Sequence, residues 1–422
     1  MKITQLMGYQ ILDSRGKPTV AASLILDDGT VHTARIPSGA STGKHEAREI
    51  RDHEGKFAGG MYRGNSVYQA CENINELIAP GLIGRTPDLT AVDQFIAHLD
   101  PTPGFQRIGA NASLAISIAV AKAQAHSERK SLVRLFQPTG QLKLPMPMAN
   151  ILSGGAHARN TMDIQDVLVI PHGASSFHEA LSWLSAIRES AAREGVVLGA
   201  PTHLTADEGG LAIEFPTVEG AFDFVTSCIS SVGLRTGTDV SLAIDFAATQ
   251  FYHDGIYRLA KAKREFQATE FVSYVRHLVN SHPIISIEDP FAEDDWNSWN
   301  AFMEEIPEGL QVIGDDLYTT NLLRLERGIK ENSSNAILIK PNQNGLLTST
   351  LEVLRRAQQS NLKTIVSARS GETEDSWLAD LAVGWGAEQI KVGSTHGSER
   401  TAKWNRLLEL EATEACDFAH PF

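Results

Sequence analysis

The sequence predicts an α/β protein in which a closed β/α barrel is preceded by a smaller α+β N-terminal domain. Three observations predict it. Beyond residue 150, short near-continuous apolar runs alternate with roughly 15–30 residues of helix-compatible sequence, the rhythm of a parallel sheet wrapped by helices. Charged residues recur at the carboxyl ends of those runs, where barrel enzymes carry their chemistry. Before residue 137 the pattern differs, with β-rich runs first and Ala-rich helical sequence after them. An open doubly wound sheet is the alternative architecture, but no G-x-G-x-x-G follows an early strand.

The elements follow in order. Residues 2–36 read as strands with turns, and "TVAASLILDDGTVHTARI" holds a hairpin around Asp27-Asp28-Gly29-Thr30. The loop "PSGASTGKHEARE" (37–49), rich in small residues, leads into a charged segment expected to be helical. From about 66 to 130 the pattern is helical, and "NASLAISIAVAKAQAHS", apolar all round, predicts a buried helix. The Pro-rich "QPTGQLKLPMPMAN" (137–150) breaks the pattern, so the expected domains are 1–137 and 138–422. Beyond it, "DVLVIP" precedes a helix with Phe177, Leu181, Leu184 and Ile187 on one face. Further runs are "VSLAIDF", "IISIEDP", "QVIGDD", "NAILIK", "KTIVSAR" and "EQIKVG", about eight units in all.

Composition narrows the function. A net charge of −14 without a dense Lys/Arg cluster argues against nucleic acid as a partner. The three cysteines, Cys71, Cys228 and Cys416, are odd in number and far apart, which suits a reducing cytoplasm rather than a disulfide framework. No apolar stretch reaches membrane-spanning length, so no membrane partner is expected.

Asp245, Glu288, Asp315, Lys340, Arg369 and Lys391 fall in that order at the ends of successive apolar runs. One charge at a strand end is an ordinary polar cap; six in order, carboxylates before cations, are not explained by capping. Three carboxylates without His or Cys are oxygen ligands for a hard cation, and Mg²⁺ fits best. Two lysines facing such a metal suggest proton abstraction beside a carboxylate, with the lysine pKa expected to be lowered by desolvation and cationic neighbours.

The stretches "LDSRGKPTV", "PSGASTG", "NILSGGAHA", "DEGG", "SIEDPF", "GDDLYTTN", "KPNQNG", "SARSGETED" and "SERTAKWN" together resemble enolase, over essentially the whole chain. The resemblance implies an enolase-type barrel that converts 2-phosphoglycerate to phosphoenolpyruvate, with two Mg²⁺ per site and a homodimeric or homo-octameric assembly. Asp245, Glu288 and Asp315 match ligands of the first metal. Ser41, in the lid loop 37–45, matches a ligand of the second. Lys340 matches the base for the C2 proton, and Glu208 the acid that helps the C3 hydroxyl leave. Lys391 matches a cation at the substrate carboxylate, Arg369 and Ser370 the phosphate grip, and His157 and Gln165 pocket residues.

This chain departs from the family pattern at four places. Ala368 stands where a histidine is usual, and Asp166 where a glutamate is usual. Pro341, Asn344 and Leu346 alter the segment after Lys340, and His396 alters the run before Ser398-Glu399-Arg400. A carboxylate one methylene shorter retreats by roughly 1 Å, which can cost about 10²-fold. An imidazole lost from proton transfer removes roughly 10²–10⁴. The first two changes fall on the side that handles the C3 hydroxyl. They raise an alternative: an enolase paralogue acting on a modified substrate, as carboxyphosphonoenolpyruvate synthase does. A non-catalytic enolase-like binding protein is a third reading, opposed by the retained carboxylates and lysines.

Overall fold

A computed structural model describes residues 1–40, 42–53 and 61–422. Strands β1 (Ile3–Leu12), β2 (Pro18–Leu26) and β3 (Val31–Arg35) form an antiparallel sheet, and the expected hairpin turn joins the last two. Helices α1 (Leu89–Leu99) and α2 (Ala110–Ser127) follow. The central helix α2 is buried on nearly every face because its Ala and Ser positions let neighbours approach closely. The charged segment after the loop is not helical: Lys44–Ile50 runs as turns and irregular backbone. Its groups are spent elsewhere, with Ala47 N donating to Gln343 O and Arg48 N to Gly104 O, both at 2.8 Å.

The barrel consists of β4 (Met146–Ser153), β5 (Asp166–Ile170), β6 (Ser241–Asp245), β7 (Ile284–Glu288), β8 (Gln311–Gly314), β9 (Ala336–Ile339), β10 (Lys363–Ser367) and β11 (Gln389–Lys391). They close in the order β7-β8-β9-β10-β11-β4-β5-β6. Two expectations are corrected here. The sheet is not wholly parallel, because β5 runs antiparallel to both β4 and β6. The Pro-rich stretch, read as a break, contains the start of β4. Pro147 is tolerated because it pairs with β11 alone, before pairing with β5 begins at Ala149. A small sheet over residues 252–267, which the sequence pattern did not suggest, is inserted after β6.

Helices α3 (Phe177–Val197), α4 (Val218–Ser231), α5 (Ala268–Ser281), α6 (Trp296–Met303), α7 (Leu322–Glu331), α8 (Leu347–Gln359), α9 (Trp377–Gly384) and α10 (Ser398–Thr413) accompany the barrel. On α3, Phe177, Leu184 and Ile187 are buried and Leu181 packs against them, the predicted face. Met146, Met148, Leu168, Ile170, Ala243, Ile313, Ala336, Leu338 and Ile365 form a separate apolar plug. The buried Ser286, Gln311 and Gln389 add a hydrogen-bonded layer, Ser286 Oγ donating to Gln311 Oε1 at 2.8 Å and Gln311 Nε2 to Gln389 Oε1. That last bond joins β8 to β11, which are not neighbours, so it crosses the barrel interior.

The N-terminal sheet is bound to the loop after β10. Ser38 and Gly371 exchange backbone hydrogen bonds at 2.8 and 2.9 Å, and Arg35 N donates to Asp375 Oδ2 at 3.1 Å. Lys122 of α2 pairs with Asp375 at 2.8 Å. Among the described residues no helix is long and apolar enough to cross a membrane.

The turn after β8, which carries two aspartates into the mouth, depends on the buried Tyr318 ring packed under Gly328 of α7. A Cβ at 328 would overlap the Tyr318 hydroxyl and ring. Gly328→Ala should therefore lower unfolding free energy by about 1–3 kcal/mol in urea titration. An unchanged midpoint would show that Tyr318 moves freely.

Candidate active site

The sequence-predicted charges converge on one end of the barrel. Asp245 and Glu288 end β6 and β7, Asp315 follows β8, Lys340 follows β9, Arg369 lies two residues beyond β10, and Lys391 ends β11. Lys391 Nζ reaches Asp245 Oδ2 at 2.8 Å and Glu288 Oε2 at 2.6 Å. Burial lowers the lysine's pKa, but Asp245 and Glu288 outweigh it and hold it well above the ordinary value. Lys340 Nζ contacts Asp315 Oδ2 in the same way. With Asp315 as its partner, Lys340 lies above rather than below the ordinary value: burial lowers it, but Asp315 more than offsets that.

The other half of the mouth is built by β5. Because that strand is antiparallel, its first residue lies level with the last residues of its neighbours, Asp166 opposite both Asp245 and Ser153. Ser153 Oγ donates to Asp166 Oδ1 at 2.7 Å, and His157 Nδ1 meets Asp166 Oδ2 at 2.9 Å. His157 Nε2 lies 3.7 Å from Glu208 Oε1, and Asn150 Nδ2 donates to Glu208 Oε2 at 3.1 Å. Gln165 Nε2 donates to Asp245 Oδ2 at 3.1 Å. Glu208 is placed by its own backbone, whose carbonyl accepts from Ser394 N at 2.8 Å. The turn after it needs glycine: Gly209 has φ +81°, and a Cβ there would strike the His396 carbonyl. The exposed His396 side chain is not part of the cluster.

Burial alone would make His157 neutral, but Asp166 and then Glu208 outweigh it and raise its pKa from 6.5 to about 9. Burial pushes Asp166 upward; with Ser153 and His157 both beside it, we read the pair as an imidazolium facing a carboxylate. Burial also pushes Glu208 up, yet His157, Arg400 and Lys391 prevail and hold it below the usual range.

Among the described residues two groups each bring possible ligand atoms within 4.8 Å of one another: His157, Asp166 and Glu208 in one, and Asp289, Asp315 and Asp316 in the other. The expected trio Asp245, Glu288 and Asp315 is arranged differently, two of them sharing Lys391 and the third holding Lys340. These acidic residues fit a divalent cation, since they offer oxygen donors and the buried Glu288 Oε1 has no hydrogen-bond partner among the described residues. Burial and then the Asp245 charge raise Glu288 well above its usual range, which a cation would relieve.

Arg369 and Ser370 lie at the same mouth. Arg369 is bound by Glu46 and Asn342, and Ser370 Oγ accepts from Ala40 N at 2.8 Å. Ser41, the expected second-metal ligand, lies outside the described residues. Ala368 is buried, and its N–H donates to Lys391 O at 2.9 Å. Sequence reasoning missed Asn150, Ser153, Asp289, Asp316, Gln343 and Glu46. Asp289 and Asp316 adjoin predicted ligands in "EDP" and "GDD", a usable signal; Glu46 gave none.

A closed barrel with lysines and carboxylates interleaved at its mouth belongs to the class of barrel enzymes, whose chemistry sits at that face. Residues 3–136 match the family description "Enolase, N-terminal domain", and residues 141–419 match "Enolase, C-terminal TIM barrel domain". The chain belongs to the enolase family, and its two-domain fold is that of an enolase-superfamily lyase.

The His157 pKa has a stability consequence. A group raised from 6.5 to about 9 on folding contributes stability fully present below pH 6.5 and lost as pH rises through about 9. Urea titrations of wild type and His157→Gln should differ most near pH 6 and converge toward pH 10. A constant gap would refute the imidazolium assignment.

Proposed function

We propose that this chain is a Mg²⁺-dependent lyase that reversibly dehydrates 2-phosphoglycerate to phosphoenolpyruvate. The observation that carries the reading is the mouth's division of labour. Lys340 follows β9, and Asp166 begins β5, four strands away in either direction round the ring. A base and an acid are thus available on opposite sides of a bound substrate.

Lys340 takes the C2 proton, the C–H electron pair becomes the C2–C3 double bond, and the C3 hydroxyl leaves with a proton as water. Lys340 must be neutral to act, so Asp315 has to be drawn off its ammonium group. Asp245, Glu288 and Asp315 would hold Mg²⁺, which when bound would neutralise those carboxylates and the charge developing on the substrate carboxylate. Lys391 faces that carboxylate, with Gln165 beside it. The leaving hydroxyl takes its proton from Glu208, which His157, the protonated member of the group, recharges once the 3.7 Å between them closes to hydrogen-bond distance. Asp166 keeps His157 charged. Arg369 and Ser370 hold the phosphoryl group. In this reading the enzyme is cytoplasmic and glycolytic, a homodimer or homo-octamer with Ser41 completing a second Mg²⁺ site.

Purified protein with Mg²⁺ should produce phosphoenolpyruvate in a pyruvate-kinase-coupled assay, and chelation should abolish it. Lys340→Met should cut turnover by about 10²–10⁴. No product from the wild type would end this reading.

The second reading, an enolase paralogue with a modified substrate such as that of carboxyphosphonoenolpyruvate synthase, is favoured by the same acid side. Asp166 is engaged by Ser153 and His157, and Ala368 offers only a methyl group where the family pattern has an imidazole. Combining Ala368→His with Asp166→Glu should raise 2-phosphoglycerate turnover by about 10²-fold if the wild-type site is detuned for it. Unchanged turnover from an already competent wild type would remove this reading.

A further inference from the structure

Arg369 does not face an open grip. Its Nη1 donates to Glu46 Oε2 at 3.0 Å, and its Nη2 donates to Glu46 Oε1 at 3.1 Å. Two parallel N–H···O bonds to one anion form the fork-on-fork arrangement that a phosphoryl group takes on a guanidinium. Both partners are withdrawn from water, the side chains being 3% and 10% exposed. A carboxylate and a phosphoryl group cannot occupy the same edge of one guanidinium.

Glu46 is also tied to the two parts of the site that a bound substrate must reach. Its Oε1 accepts from Gly43 N at 3.0 Å, in the loop before it, and from Gln343 Nε2 at 3.3 Å. Gln343 Nε2 donates in turn to Asp315 Oδ1 at 3.0 Å. A cavity of about 290 Å³ borders Glu46, with Gly39, Thr42, Gly43, Glu49 and Asn342 among its walls. The carboxylate therefore has room to leave Arg369 without forcing the core apart.

We propose that Glu46 is an internal anion that fills the phosphoryl grip and is displaced from Arg369 when an anionic ligand binds. The inference rests on Arg369 being that grip. Displacement has two effects. The ligand pays for expelling Glu46, so its apparent affinity is lower than the bare grip would give. Release of Glu46 also breaks its bonds to Gly43 and Gln343, so occupation of the grip is transmitted to the loop and to the amide that holds Asp315. A substrate phosphoryl thus competes for one ion pair and rearranges contacts at two other residues.

The test is calorimetric titration of the full chain with inorganic phosphate in metal-free buffer, for wild type, Glu46→Gln, Glu46→Ala, Glu46→Asp and Arg369→Gln. Glu46→Gln keeps the side-chain shape and removes only the charge. It and Glu46→Ala should bind phosphate roughly tenfold tighter or more, the scale of losing one charged competitor. Glu46→Asp, which keeps the charge, should stay nearer wild type, and Arg369→Gln should abolish binding. If Arg369-dependent binding is present but weakened or unchanged in Glu46→Gln and Glu46→Ala, Glu46 only positions the arginine and the proposal is overturned alone. If neither wild type nor the Glu46 variants bind phosphate, the grip itself is refuted and the proposal with it. Turnover on 2-phosphoglycerate enters neither outcome.

Discussion

The ammonium group of Lys391, shared between Asp245 and Glu288, is the interaction on which the rest of the mouth depends. Two buried carboxylates end adjacent strands, and without a cation between them they would repel at short range in a medium that screens poorly. Lys391 comes from β11, which neighbours neither β6 nor β7. Its bonds therefore exist only when the barrel is closed. Removing one partner would leave a buried charge uncompensated, a loss of roughly 3–5 kcal/mol for such pairs. The pair is a weak source of net stability but a strict condition on geometry.

The same logic runs round the ring. Lys340 answers Asp315, His157 answers Asp166 and Glu208, and Arg369 answers Glu46. Each cation is held by a carboxylate that a substrate or a metal could replace. Such a site is loaded rather than open, because each cation already has an acidic partner within it. Binding exchanges one set of ion pairs for another, which keeps the net desolvation cost of an anionic substrate small.

Ala368 gains meaning from its backbone. Its N–H bonds to the Lys391 carbonyl, and the loop that follows is stitched to the N-terminal sheet through Gly371 and Asp375. None of those contacts needs a side chain at 368. The position is held by its backbone, while its methyl group packs in the hydrophobic core. The segment 367–375 is thus the bracket between the two parts of the chain.

Much of the protein was legible in the sequence. Seven of the barrel strands could be placed from apolar runs, and the six charges at their mouths from position alone, because in a parallel strand the side chain after the last apolar residue must reach the carboxyl end. The resemblance then supplied His157, Gln165, Asp166 and Glu208, which no periodicity marks. What the sequence could not carry was decided by contacts between distant segments. The reversed direction of β5 brings the start of its run, Gln165-Asp166, into the site, and direction is a matter of pairing rather than of residue pattern. The strand hidden in a Pro-rich stretch survives because Pro147 lacks a donor only where β5 has yet to pair. The raised pKa of Lys340 and the Glu46–Arg369 pair arise from residues 25 and 323 positions apart, respectively. Sequence by itself determined which charges the barrel would present. Only closure of the barrel against its N-terminal domain decided which charge faces which, because buried charges take their protonation from the neighbours that folding supplies.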